Sequence, residues 1–132
     1  MSKETPYVDI SPQTLEEWLD RGEVYLVDVR PPGMYEAEHI AQAQPIPVAR
    51  LTMAELGPHD GKKLVMQCQI GVASVRACHQ LRAQGWQGEL FNLAGGITAW
   101  KAVGLPTEGD GREGGGARSF LSKLMGGRDD SR

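Results

Sequence analysis

The chain has 132 residues, of which 40% are hydrophobic and 23% charged, with a net charge of −3 and a pI near 5.6. That size and balance suit one domain with a real core, and the absence of a basic cluster interleaved with aromatics argues against a nucleic-acid partner. The sequence holds no run of about eighteen apolar residues and no basic-then-apolar leader, so neither a membrane span nor a signal peptide is expected and the default address is the cytoplasm.

Residues 1–6 read as an N-terminal extension. Tyr7 to Ile10 alternates apolar and polar, as a short strand does. Ser11 followed by Pro12 is a helix N-cap, and Leu15, Trp18 and Leu19 give that helix one apolar face until Gly22 stops it. Val24 to Val29 is nearly continuous in apolar and β-branched residues, the mark of a central strand buried on both faces. Charge appears at its carboxyl end, where sites in open α/β sheets are built. Asp28 and Arg30 there either shape a site or form a structural ion pair beside the turn at Pro31 to Gly33.

Met34 to Glu38 fits a short helix, and the following His39 reads as a structural hydrogen-bonding residue ahead of a base. Gln44 to Pro47 carries two prolines and so suits an edge strand. Leu51 to Leu56 is a weak helix, and Gly57 to Gly61 has turn composition.

The stretch that organises the rest begins with a strand, Leu64 to Gln67, running into Cys68, a small-residue loop and a helix from about Ser74 to Gln84. A cysteine there meets loop amides and the positive end of a helix, a setting that favours an anionic sulfur and makes a nucleophile. On the helix, Val75, Cys78 and Leu81 face inward while Arg76, Gln80 and Arg82 point to water. Cys78 is thus a core residue, and two cysteines at this spacing suggest neither a disulfide scaffold nor a zinc site; no metal or cofactor is implied.

Glu89 to Leu93 is the next strand, and Ala94, Gly95 and Gly96 form a bend that lets backbone pack closely near the loop. Ile97, Trp100 and Val103 line a last helix that stops at Gly104, with Trp100 and Trp18 as core residues. Seven of the seventeen glycines lie between Gly109 and Gly127, so the folded domain is expected at residues 7–106 and a flexible tail at 107–132. In that tail Phe120, Leu121, Leu124 and Met125, with Arg118 and Lys123, make a short amphipathic segment that either docks on a partner or remains disordered.

Strands and helices alternate as in an α/β domain with a mainly parallel sheet. Three segments resemble the rhodanese family of sulfurtransferases: Asp28 to Arg30 with Tyr35, Glu36, His39 and Ile40; the loop from Cys68 to Ala73; and Leu93 to Trp100 with Gly104 to Pro106. The resemblance implies an α/β fold with a central five-stranded, mainly parallel sheet and a catalytic cysteine heading a cradle-shaped loop. It implies that Cys68 takes sulfane sulfur from a donor such as thiosulfate, carries it as a persulfide, and passes it to cyanide, a small thiol or a protein. The amides of Gln69, Ile70, Gly71, Val72, Ala73 and Ser74 would then hold the persulfide anion, with Asp28, Arg30 and Arg76 in support. The loop argues against a cysteine phosphatase, because Ser74 stands where such enzymes need an arginine.

Where many family members carry arginine in the loop this chain has Gln69 and Ala73, and Glu38 replaces the glycine before the histidine. No loop guanidinium awaits a small dianion, and Arg76 either compensates or is simply solvated. A protein persulfide or glutathione persulfide is therefore expected as donor ahead of thiosulfate. The alternative is a non-catalytic binding or regulatory module that retains its cysteine.

Overall fold

The computed structural model describes residues 6–111. The amphipathic segment read between Arg118 and Met125, and most of the N-terminal extension, lie outside the described residues.

Five strands form one sheet: β1 (Val8–Ile10), β2 (Val24–Asp28), β3 (Gln44–Pro45), β4 (Lys63–Gln67) and β5 (Phe91–Leu93), in the order β1-β5-β4-β2-β3. Every pairing among them is parallel. The helices are α1 (Pro12–Asp20), α2 (Pro32–Ala37), α3 (Met53–Leu56), α4 (Ala73–Ala83) and α5 (Gly96–Ala102), with a 3-10 turn at Val48–Arg50. None of the described helices is long and apolar enough to cross a membrane.

A strand turns successive side chains to opposite faces, and the two halves of the core follow that period. Val27, Val29, Leu64 and Met66 meet Ala77, Cys78 and Leu81 of α4 on one face. Leu26, Val65, Phe91 and Leu93 meet Leu15 of α1 and Ile97 and Trp100 of α5 on the other. Helix α1 starts as its sequence dictates, with the Ser11 hydroxyl accepting the N–H of Thr14 at 3.1 Å. β4 lies at the middle of the sheet, so its carboxyl end, and Cys68 just beyond it, is flanked by the ends of β2 and β5.

Several details depart from the sequence reading. The weak helix read from Leu51 to Leu56 begins later, at Met53, with Thr52 as its N-cap, and a separate 3-10 turn precedes it. Two residues of α4 assigned to water are instead tied down: Gln80 donates to the carbonyls of Val48 and Leu51, and Arg82 to those of Pro6 and Trp86. These carbonyls come from irregular segments that lack ladder partners, which is what makes long polar side chains on a helix turn back onto the protein. The backbone beyond Pro106 also continues to pair: His39 and Glu108 form an antiparallel bridge, and the N–H groups of Asp110 and Gly111 donate to the carbonyls of Glu36 and Ala37.

Leu81 has no solvent exposure, so Leu81→Ala is expected to lower stability by about 2–5 kcal/mol in urea unfolding. Val8, half exposed on edge strand β1, provides the contrast, with Val8→Ala expected to stay within about 0.5 kcal/mol.

Candidate active site

Cys68 follows the last residue of the central strand and is 2% exposed. Its Sγ accepts the backbone N–H of Gly71 at 3.1 Å and of Ser74 at 3.2 Å. Helix α4 begins at Ala73, so Ser74 lies in the first turn, where N–H groups have no intrahelical acceptor and the helix end is positive. Gly71, at φ +94°, supplies the backbone curl that brings the loop round the sulfur.

The loop is held from behind by the start of α5. The carbonyl of Cys68 accepts the N–H of Ile97 at 2.9 Å and that of Gln69 accepts the N–H of Thr98 at 3.1 Å. The Gln67 side-chain amide also donates to the Cys68 carbonyl at 2.5 Å. Because peptides are planar and trans, the N–H groups of Gln69 and Ile70 point away from α5. This approach requires glycine at Gly96, where φ is +61° and a Cβ would collide with the backbone of Cys68 and Gln69.

Asp28 and Arg30 make the ion pair that their sequence position left open, and the pair also reaches the loop. Arg30, 5% exposed, donates to both carboxylate oxygens of Asp28, to the Glu38 carbonyl, and through Nη1 to Gln69 Oε1 at 3.0 Å. Its guanidinium is occupied. The Glu38 carboxylate accepts Lys101 Nζ and Thr107 Oγ1, both at 2.7 Å, so the extra negative charge is paired and does not face the cradle as an uncompensated anion. His39 has a structural part: its ring stacks on Tyr35 with centroids 3.9 Å apart, and Nδ1 donates to the Tyr35 carbonyl.

Around the sulfur the loop surface is apolar. Ile70 and Val72 are 60% and 58% exposed, Ala73 is half-buried at the head of α4, and Arg76 is exposed one residue beyond Val75. Cys78, fully buried on the inner face of α4, has its thiol pushed up to about 12 by desolvation.

Two residues of this neighbourhood, Asp9 and Asn92, went unread in the sequence. The Ser74 Oγ lies 3.2 Å from Cys68 Sγ and donates to Asn92 Oδ1, and Asn92 Nδ2 donates to Asp9 Oδ1 at 2.9 Å. The signal was present, since Asn92 interrupts an otherwise apolar run from Leu90 to Leu93. A polar side chain in a buried strand requires a partner.

Comparison with known proteins gives concordant findings. The family model described as the rhodanese-like domain matches residues 11–103. An uncharacterized protein of Synechocystis is 42% identical over 100 residues, which are 76% of this chain and 55% of that protein, so the chain spans about half of its length. A sulfurtransferase of Allochromatium vinosum is 37% identical over 101 residues, 74% of this chain and 92% of the relative. The crystal structure of a rhodanese-related protein from Thermoplasma volcanium superposes with a TM-score of 0.67 at 27% identity, covering 79% of this chain and all of that one.

Two outcomes follow from the geometry. With the Cys78 thiol near 12, this group stays neutral through the neutral range and gains reactivity only as pH approaches that value, so iodoacetamide at pH 8 is expected to label one cysteine of the native protein and both after unfolding. A second native thiol reacting at a comparable rate would contradict this. Gly96→Ala is expected to cost about 1–3 kcal/mol and to shift the Cys68 loop, read as a lower urea midpoint together with altered labelling at Cys68.

Proposed function

The chain belongs to the rhodanese-like domain family, and from that premise we propose that it is a sulfurtransferase whose Cys68 carries sulfane sulfur as a persulfide. The observation that carries the reading is a cysteine sulfur at a strand end receiving the N–H groups of Gly71 and Ser74. Charge-assisted hydrogen bonds of this kind contribute about 1.5–3 kcal/mol each, and more where water is excluded.

In the first half-reaction the Cys68 thiolate attacks the outer sulfur of a persulfide donor, R–S–SH. The new Cys68 S–S bond forms, the donor's S–S bond breaks, and R–S⁻ leaves. The mirror reaction hands the outer sulfur to an acceptor thiolate and restores the Cys68 thiolate, giving ping-pong kinetics. With thiosulfate as donor the leaving group would instead be sulfite.

The surroundings favour the first donor. A small dianion needs a guanidinium or ammonium to offset its charge, yet Arg30 is spoken for by Asp28, Gln69 and Glu38, and Lys101 by Glu38. The large exposed side chains of the loop, Ile70 and Val72, are apolar. A carbon-bearing persulfide, on glutathione or on a protein, fits such a rim better than thiosulfate, and a low-molecular-weight or protein thiol is the matching acceptor. The amides of Gln69 and Ile70, turned away from α5, are the further donors proposed for the outer sulfur, alongside those of Gly71 and Ser74.

Intact mass after incubation with each donor tests this. Glutathione persulfide is expected to add one reducible sulfur to the wild type and to Cys78→Ser but none to Cys68→Ser, and to load at least about tenfold faster than thiosulfate. A wild type that neither donor loads would leave a binding module with an inert cysteine.

A further inference from the structure

A buried line of polar side chains runs from the surface to the reacting sulfur. β1 and β5 pair with Asp9 opposite Asn92, while their neighbours Ile10, Phe91 and Leu93 belong to the core on the α1 and α5 face. The period of the strands therefore turns Asp9 and Asn92 together toward α4 and Ser74. Asn92 is 2% exposed and Ser74 fully buried.

The direction of this line is fixed by its outer end. A carboxylate only accepts, so the Asn92 amide must present Nδ2 to Asp9, at 2.9 Å, and Oδ1 to Ser74. An amide oxygen also only accepts, so Ser74 must give it the one proton that its hydroxyl owns. What Ser74 then offers Cys68 Sγ, 3.2 Å away, is a lone pair, which suits an S–H and repels an S⁻.

We propose that Asn92, anchored by Asp9, is a positioning residue for the sulfur site: it claims the Ser74 proton and thereby withholds one hydrogen bond from the anionic Cys68 sulfur that the Gly71 and Ser74 amides favour. The inference rests on Cys68 as the carrier. For the thiolate to be satisfied by Ser74, the hydroxyl must swing from Asn92 to the sulfur, leaving the buried Asn92 Oδ1 without its donor. In the loaded form Sγ is bonded to a second sulfur and bears neither proton nor charge, so Ser74 keeps its bond to Asn92. Relative to a free hydroxyl, the line disfavours the anionic form of Sγ against both neutral ones and slows the reaction of the idle cysteine with stray electrophiles. The other charged groups of the neighbouring elements act at a remove: Asp28 and Arg30 of β2 meet the loop through Gln69, Lys101 of α5 is paired with Glu38, and Arg76 of α4 is exposed.

The test is the rate at which iodoacetamide alkylates Cys68 in the absence of any sulfur donor, so its result stands apart from whether a donor loads the protein. Asn92→Leu is expected to speed alkylation at pH 7 about tenfold and to move the rate profile to lower pH, because the released hydroxyl turns to the sulfur. In a Ser74→Ala background the same change is expected to alter the rate by less than about twofold, a coupling that general loosening of the site would not produce. Asp9→Asn sits at an exposed position and leaves a side chain able either to accept or to donate, so the Asn92 amide is free to turn over; an acceleration of about threefold is expected. Slower alkylation in Asn92→Leu, or equal acceleration with and without the Ser74 hydroxyl, would overturn the proposal. Should Asn92→Leu fail to fold, Asp9→Asn decides alone, and an unchanged or lower rate in it is the overturning result.

Discussion

The close approach of α5 to the Cys68 loop is the constraint on which the rest of the structure depends. Gly96 has no side chain, so the backbone of α5's first turn reaches the Cys68–Gln69 peptide, and Ile97 and Thr98 donate to the carbonyls of Cys68 and Gln69. With those carbonyls directed into α5, the opposite edges of the same peptides carry N–H groups the other way. A short backbone loop around one sulfur would otherwise compete with solvent for every one of these bonds. The sheet contributes by delivering the strand ends to one place, and the paired helices on both faces keep them there.

Charge is handled in a second, outer ring. Asp28 and Arg30 neutralise each other while Arg30 also braces Gln69, and Glu38 is neutralised by Lys101 while also receiving Thr107. A buried ion pair with a partner removed leaves an expensive lone charge, whereas one with its hydrogen bonds complete acts as a rigid strut. The inner ring around the sulfur is made of backbone amides, one hydroxyl and apolar side chains. The amide dipoles among them are already in place for an anion and need not reorganise, whereas the Ser74 hydroxyl, committed to Asn92, would have to turn.

The parts of this arrangement that depend on neighbours in sequence were legible beforehand. The Ser11 cap, the continuous apolar run of β2, the edge strand at Gln44, the glycines at Gly95 and Gly96, and Cys68 between a strand and a helix all announce themselves through local chemistry. What sequence did not display depends on register and on distant chain segments. Asp9 and Asn92 become partners only because β1 lies beside β5 in parallel register, and Arg30 meets Gln69 only because β2 lies beside β4. Residues 107–111, glycine-rich and read as the start of a tail, pair with α2 and His39 because free backbone groups at a helix end accept any suitably placed strand. Likewise, the periodicity of α4 marks Gln80 and Arg82 as polar without telling that irregular carbonyls lie within their reach.

The seclusion of Cys78 has a consequence for how the protein resets itself. The sequence holds two cysteines, and one of them is sealed in the core beneath α4 with its thiol held neutral. No second sulfur in the chain is therefore placed to attack an oxidised or loaded Cys68 and release it as an internal disulfide. On the proposed reading, each turn of the cycle is then completed by an acceptor other than Cys78, so the state of this site reports on the acceptors that reach it rather than on a reserve held in the core.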